Sequence, residues 1–226
     1  MRAVPRRYRF AFARVAAAGL RPLVRRRPLF KEQQRFGMDT DRELSLHHVL
    51  KAMTLAGAVF DPPLTLVNVE QLDEELRAGR GIFFAATHQV FMPLVFRHLW
   101  DRGITPYVVA ATPVAILGTR AAVHPVAPSR ESLLQVRRLL RGGEVVSAML
   151  DTLEKVDDGR TVQFETHAGR IRIRDTLLRL SRRCDAAIFF VAARINDAGG
   201  ISVLLQKAGA DPVAEFVAFV QTHARR

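Results

Sequence analysis

A chain of 226 residues with 49% hydrophobic and 8% aromatic composition can bury one full core and is too apolar for a disordered protein. Its single cysteine, Cys184, excludes an internal disulfide and fits a reducing compartment. The net charge of +12 points toward nucleic acid until it is located: residues 1–30 hold nine arginines and no acid, so 12 − 9 = +3 remains from Lys31 onward. A near-neutral body lacks the basic face that nucleic-acid binding needs, so no nucleic-acid partner is expected.

Residues 1–39 read as a basic amphipathic N-terminal arm and residues 40–226 as a single α/β domain. The arm interleaves its arginines with Tyr8, Phe10, Phe12, Val15, Leu20 and Phe30, the composition of a segment lying in a membrane interface and drawn to anionic lipid. Pro22 and Pro28 are expected to break it into pieces. No run approaches the roughly 18 apolar residues that a spanning helix needs. Residues 1–30 are therefore expected to hold the chain on an anionic membrane surface, cytoplasmic and peripheral on the inner face of the cell membrane. A basic tail that packs on the domain, or is simply disordered, is the competing expectation.

Beyond the arm, acids at the start and apolar residues at helical spacing predict a helix over 40–58, with His47 and His48 as ordinary helix residues about 100° apart. Asp61-Pro62-Pro63 makes a break, and a short helix is predicted over 69–78. The run GIFFAAT (81–87) is of buried-strand type. A helix over 90–102 and a strand over 106–111 follow. Next come a helix over 131–141, ended by Gly142-Gly143, and a third strand over 145–150 that runs into Asp151. A helix at about 174–184, a strand over 186–194, a fifth strand over 201–206 at the sheet edge and a helix over 211–223 complete the chain. Strands alternating with helices predict a mixed, mostly parallel central sheet flanked by helices.

In such a sheet, ligands gather at the carboxyl ends of the strands. His88 lies one residue beyond the first buried strand, where an imidazole can face a cleft and serve as general base. Position alone does not separate that role from a structural one. Asp157-Asp158-Gly159 reads as a turn, and no zinc spacing or phosphate-cradling glycine loop is present, so no metal and no bound cofactor are expected.

Three stretches carry a resemblance: ELRAGRGIFFAATHQVFMPLVFRHLWDRG, RESLLQVRRLLRGGEVVSAMLD and TVQFETHAGRIRIRDTLLRLSRRCDAAIFFVAARI. Together they are similar to the lysophospholipid/glycerolipid acyltransferase superfamily, in particular its lipid A biosynthesis (HtrB-type) acyltransferase branch. The matching positions are His88, Gly143-Glu144, Asp151, Val162-Gln163-Phe164, Gly169 and Arg194, and the likeness spans about residues 45–226. It implies a glycerolipid-acyltransferase-like fold. It also implies acyl transfer from an acyl carrier protein or coenzyme A thioester, the co-substrate, to a hydroxyl or amine acceptor, with His88 as base. Relatives place an acid five positions after the histidine, and that position here is Pro93. Asp151 or Glu154, after another strand's carboxyl end, could replace it; an acceptor easier to activate, or a catalytically degenerate acyl-binding protein, are the alternatives. The resemblance further implies Arg120 or Arg130 as contacts to an acceptor phosphate. Arg194 ends a buried strand and is a further binding candidate, and Phe91 and Met92 are candidates for lining an acyl-chain cleft.

Overall fold

The unbroken apolar runs form the middle of a seven-stranded sheet. The computed structural model describes residues 4–26, 40–110, 122–151, 161–166 and 169–223, with the side chains of 23–26 and 130 outside that description. In chain order the strands are β1 (Leu64–Val67), β2 (Ile82–Ala86), β3 (Tyr107–Val109), β4 (His124–Val126), β5 (Val145–Met149), β6 (Thr161–Thr166), β7 (Gly169–Arg174), β8 (Ala187–Ile195) and β9 (Ile201–Lys207). The sheet order is β1-β9-β8-β2-β5-β3-β4, with β6 and β7 as a separate two-stranded hairpin. Every neighbouring pair in the large sheet is parallel except β8 with β9. All five residues of β2 are buried, since helices cover both faces of the sheet; this is why the strand reads as a continuous apolar run and not as an alternation.

Helices α1 (Arg9–Arg26), α2 (Asp41–Leu55), α3 (Val69–Arg77), α4 (Val95–Trp100), α5 (Arg130–Arg141), α6 (Thr176–Arg183) and α7 (Pro212–His223) divide between those faces. Ile82, Phe84 and Ala86 of β2 share a core with Phe10 of α1, Leu46 and Leu50 of α2, Leu72 of α3 and Phe96 and Leu99 of α4. Phe83 and Ala85 pack on the other side with Val136 and Leu140 of α5, Leu178 of α6 and Phe216 and Phe219 of α7. Alternate residues of one strand thus anchor two cores. Each fully buried phenylalanine adds roughly 2–3 kcal/mol over an exposed one.

Three expectations are corrected. Residues 201–206 are not at the sheet edge: β1 pairs outside β9, with Leu64 opposite Ile201. Pro22 does not break the arm, because α1 continues through it; Pro22 is exposed, so water can satisfy the carbonyl that the missing N–H leaves. The helix expected over 90–102 is shorter, since Met92–Leu94 form a 3-10 turn, with Pro93 in its first positions, before α4 begins. A fixed proline φ suits the start of a helical turn.

The described part of the arm is built into the body. Phe10, Ala13 and Ala17 of α1 are buried at helical spacing, in the core shared with α2. The Arg9 guanidinium donates to the Val4 and Val59 carbonyls, and Arg6 pairs with Asp61 at 2.6 Å. Among the described residues no helix is long and apolar enough to cross a membrane.

Candidate active site

Strands β2 and β5 run side by side in parallel, with Ile82 opposite Val145 and Ala86 opposite Met149. Both chains leave the sheet at the same end. One more ladder bond, Leu150 N–H to Ala86 O at 2.8 Å, keeps them together beyond the strands. The β6–β7 hairpin fixes the second chain from its other side, through Arg174 N–H to Leu150 O at 2.9 Å and a bridge from Asp151 to Ile173. His88 and Asp151 therefore emerge as neighbours.

One oxygen of Asp151, Oδ1, accepts from the His88 backbone N–H at 2.9 Å and lies 2.9 Å from the ring Nδ1. Two contacts to one oxygen fix the imidazole in place and make Nδ1 the protonated nitrogen, leaving the lone pair on Nε2. The Asp151 side chain is 1% exposed and that of His88 50%, so the carboxylate is shielded while the ring reaches the surface. Partial burial disfavours charge on the ring, but the hydrogen bond and the negative charge of Asp151 outweigh it and hold the His88 pKa above the usual imidazole value. Among the described residues, the other oxygen of Asp151 is buried with no hydrogen-bond partner.

The residue after the histidine closes the sheet. Strand β8 extends past the end of β2, whose last paired residue, Ala86, faces Val191. The backbone donors of Ala193 and Ile195 on that side have no strand opposite. Buried Gln89 takes the first, its Oε1 accepting from Ala193 N–H at 2.6 Å while its Nε2 donates to Thr87 Oγ1. Buried Glu43 of α2 takes the second at 2.9 Å and with its other oxygen accepts from Thr40 in a capping box. Unpaired, each buried N–H would cost about 1–3 kcal/mol.

Behind this loop stands His47 of α2. Its ring meets Phe91 edge-on at 6.4 Å between centroids, and it hydrogen-bonds to the Val90 backbone. Burial, with the charges of His48 and Lys51, pushes its pKa down to about 4, so it is a neutral packing group at ordinary pH. Neither Gln89, Glu43 nor His47 is singled out by sequence pattern. The one available signal is a polar residue, Gln89, next to a strand-end histidine inside an otherwise apolar segment.

The other candidates scatter. Arg120 and Glu154 lie outside the described residues, as do the side chain of Arg130 and the turn at 157–159. Phe91 and Met92 are 0% and 1% exposed, packed in the α1–α4 core and not on an accessible cleft wall, because the loop after His88 turns them inward. Arg194 is exposed on β8 between the buried Ala193 and Ile195, so it projects from the sheet face opposite α1 and α2. His98 of α4 pairs with Asp73 of α3 at 2.8 Å. Among the described residues no group of three His, Cys, Asp or Glu could hold a metal ion.

Fold and site together define a three-layer α/β protein that presents a histidine–carboxylate pair at the carboxyl ends of adjacent parallel strands. No family model matches the chain, and no curated protein matches it.

Proposed function

We propose that the chain is an acyltransferase working at a membrane surface, with His88 as general base and Asp151 as its orienting acid. The observation that carries the reading is the contact between His88 Nδ1 and a buried Asp151 carboxylate at the end of the sheet where α/β proteins bind ligands. Nε2 of His88 removes the proton from an acceptor hydroxyl or amine. The acceptor oxygen or nitrogen attacks the carbonyl carbon of an acyl thioester on acyl carrier protein or coenzyme A. A new C–O or C–N bond forms, the C–S bond breaks, and the departing thiolate takes the proton from the imidazolium. Asp151 keeps the tautomer that makes this possible and steadies the transient positive charge. The order of segments described above supports the choice of acyl transfer over other base-catalysed chemistry.

Attachment belongs to the same reading. Residues 1–30 carry nine arginines and no acid, which favours the anionic inner face of the cell membrane. A bound cofactor has no role in this scheme.

Pro93, where relatives have the acid, favours a second reading, a non-catalytic acyl-binding protein. The experiment that decides incubates purified protein with acyl-carrier and acyl-coenzyme A thioesters and lipid acceptors, beside His88→Ala, with products followed by mass spectrometry. Transfer by the wild type alone is expected. Equal transfer by both would remove His88 from the mechanism, and saturable thioester binding without transfer would establish the second reading.

A further inference from the structure

A groove of about 480 Å³ lies between α1 and α2 and ends at Ile195 of β8. Ala11, Val15 and Ala18 give it apolar surface over the buried Leu46 and Ile195, Arg14, Arg21 and Arg42 line it with cations, and among the described residues no acidic side chain lines it. Arg14 and Arg21 are two helical turns apart and share one flank of α1. The Arg14 guanidinium lies against the turn between β8 and β9, 3.5 Å from the Ala198 carbonyl, and so close to Gly199 that a Cβ there would sit 2.1 Å from Nη2. Glu43, the acid next to Arg42, points inward onto Ile195 N–H and does not neutralise the groove.

Away from its buried face, the described part of the arm exposes bulky apolar side chains. Tyr8, at the end of the 3-10 turn that precedes α1, and Phe12 and Val15 of α1 are 53%, 47% and 76% exposed, and Val15 also borders the groove. Phe12 lies two positions from the buried Phe10, and Val15 two positions from the buried Ala13 and Ala17, about 200° of helical turn in each case. The segment therefore has an inward face, an arginine-bearing flank and an outward apolar face. A helix of that build rests with its apolar side in acyl chains and its arginines at headgroup level.

We infer that the α1–α2 groove is a binding site for the headgroup of one anionic phospholipid. Planar guanidinium groups bind phosphate in two-point fashion. Three of them beside apolar walls suit an anion joined to hydrocarbon: a zwitterionic headgroup would oppose them with a cation, and free phosphate would leave the apolar surface unused. The groove opens at the catalytic end of the sheet, because Ile195 is only two residues, roughly 7 Å, along β8 from Ala193, which Gln89 caps beside His88. The inference rests on the surface-attachment half of the proposed function and needs no acyl transfer, so its test reads lipid binding alone.

The test titrates full-length protein by calorimetry with three soluble probes: short-chain phosphatidylglycerol, phosphatidylcholine of the same chain length, and inorganic phosphate. Arg42→Gln and Arg14→Gln are compared with Arg141→Gln, an exposed arginine at the end of α5. Circular dichroism verifies folding, and Arg42→Lys keeps the charge without the planar fork. Saturable binding of phosphatidylglycerol is expected, weakened about fivefold by each groove substitution, largely restored in Arg42→Lys and unchanged in Arg141→Gln. His88→Ala should bind the lipid as the wild type does, which separates this result from failure of the transfer reaction. Equal affinity for phosphatidylcholine or for inorganic phosphate, equal weakening by Arg141→Gln, or no saturable binding at all would each overturn the inference.

Discussion

His88 and Asp151 stand 63 residues apart, the same offset that sets Ile82 opposite Val145 and Ala86 opposite Met149 along the β2–β5 ladder. The pair is that register carried two residues past the last strand position. Parallel neighbours are about 4.8 Å apart, a spacing that an imidazole and a short carboxylate span with one hydrogen bond. The acid is thus delivered by the adjacent strand and not by the histidine's own loop, which leaves Pro93 free to open the 3-10 turn.

Replacement of Asp151 by Asn preserves the side-chain outline and removes the charge. It also permits the wrong ring tautomer, since an amide can donate to Nδ1. If His88 is the base, Asp151→Asn should lower acyl transfer by roughly 10²–10⁴-fold while the circular dichroism spectrum stays native. Turnover of an acyl-carrier thioester measures it, and wild-type turnover in the variant would exclude Asp151 from the mechanism.

The same pair fixes a pH dependence. A base acts only when unprotonated, and Asp151 holds the His88 pKa above 6.5. The profile of kcat/KM should therefore rise with pH through a midpoint above that value, and Asp151→Asn should move the midpoint down. The linked stability term runs the other way. A pKa raised on folding contributes stability that is complete below the unfolded value and disappears as pH climbs through the folded one. Kinetics over a pH series, paired with denaturant melts, should show the two trends crossing.

Much of this is visible in the amino-acid order, and the parts that are not have physical causes. Strands β2, β5 and β8 are buried on both faces, so they appear as apolar runs, and Gly142-Gly143 marks the end of α5. Two short strands are hidden: β1 has four residues directly after Pro62-Pro63, and β4 carries Pro125 at its centre. The Arg–Ile alternation of residues 170–174 does hold a period-two signal, with Ile171 and Ile173 buried, yet a hairpin outside the main sheet breaks the strand–helix rhythm that organises the rest. Asp151 can be recognised as a strand-end acid, but its contact with His88 depends on which strand lies beside β2. Strand order is a property of the whole sheet and is not written in either segment. His47 is a further case, because helix position tells nothing of the loop packed against it.

His47 predicts a second pH effect with a definite sign. Its pKa falls from 6.5 to about 4 on folding, chiefly through burial. Above the unfolded value neither state is protonated and stability is unaffected. As pH falls below it, the unfolded chain takes up the proton first, and stability declines until the folded pKa is reached, by up to about 3 kcal/mol. Urea melts near pH 7 and near pH 5 should show this loss in the wild type. His47→Phe, which keeps an aromatic ring against Phe91, should reduce it. The residual slope in that variant combines His48, whose pKa is also lowered by burial, with the opposing contribution of His88, whose pKa is raised.

Gln89 offers the sharpest separation of framework from chemistry. Its Oε1 is the acceptor for Ala193 N–H at a point where β8 has outrun β2. Gln89→Leu matches the volume but leaves that buried donor unpaired, so stability should fall by about 1–3 kcal/mol. Hydrogen exchange at the Ala193 amide should accelerate, while amides in the β2–β5 ladder keep their protection relative to global unfolding. The hydrogen bond from His88 N–H to Asp151 is made by the neighbouring residue, so loosening at Gln89 should reach the base as reduced turnover with the raised midpoint of the pH profile retained. A midpoint that dropped as it does in Asp151→Asn would mean instead that Gln89 is needed to hold the imidazole against its carboxylate.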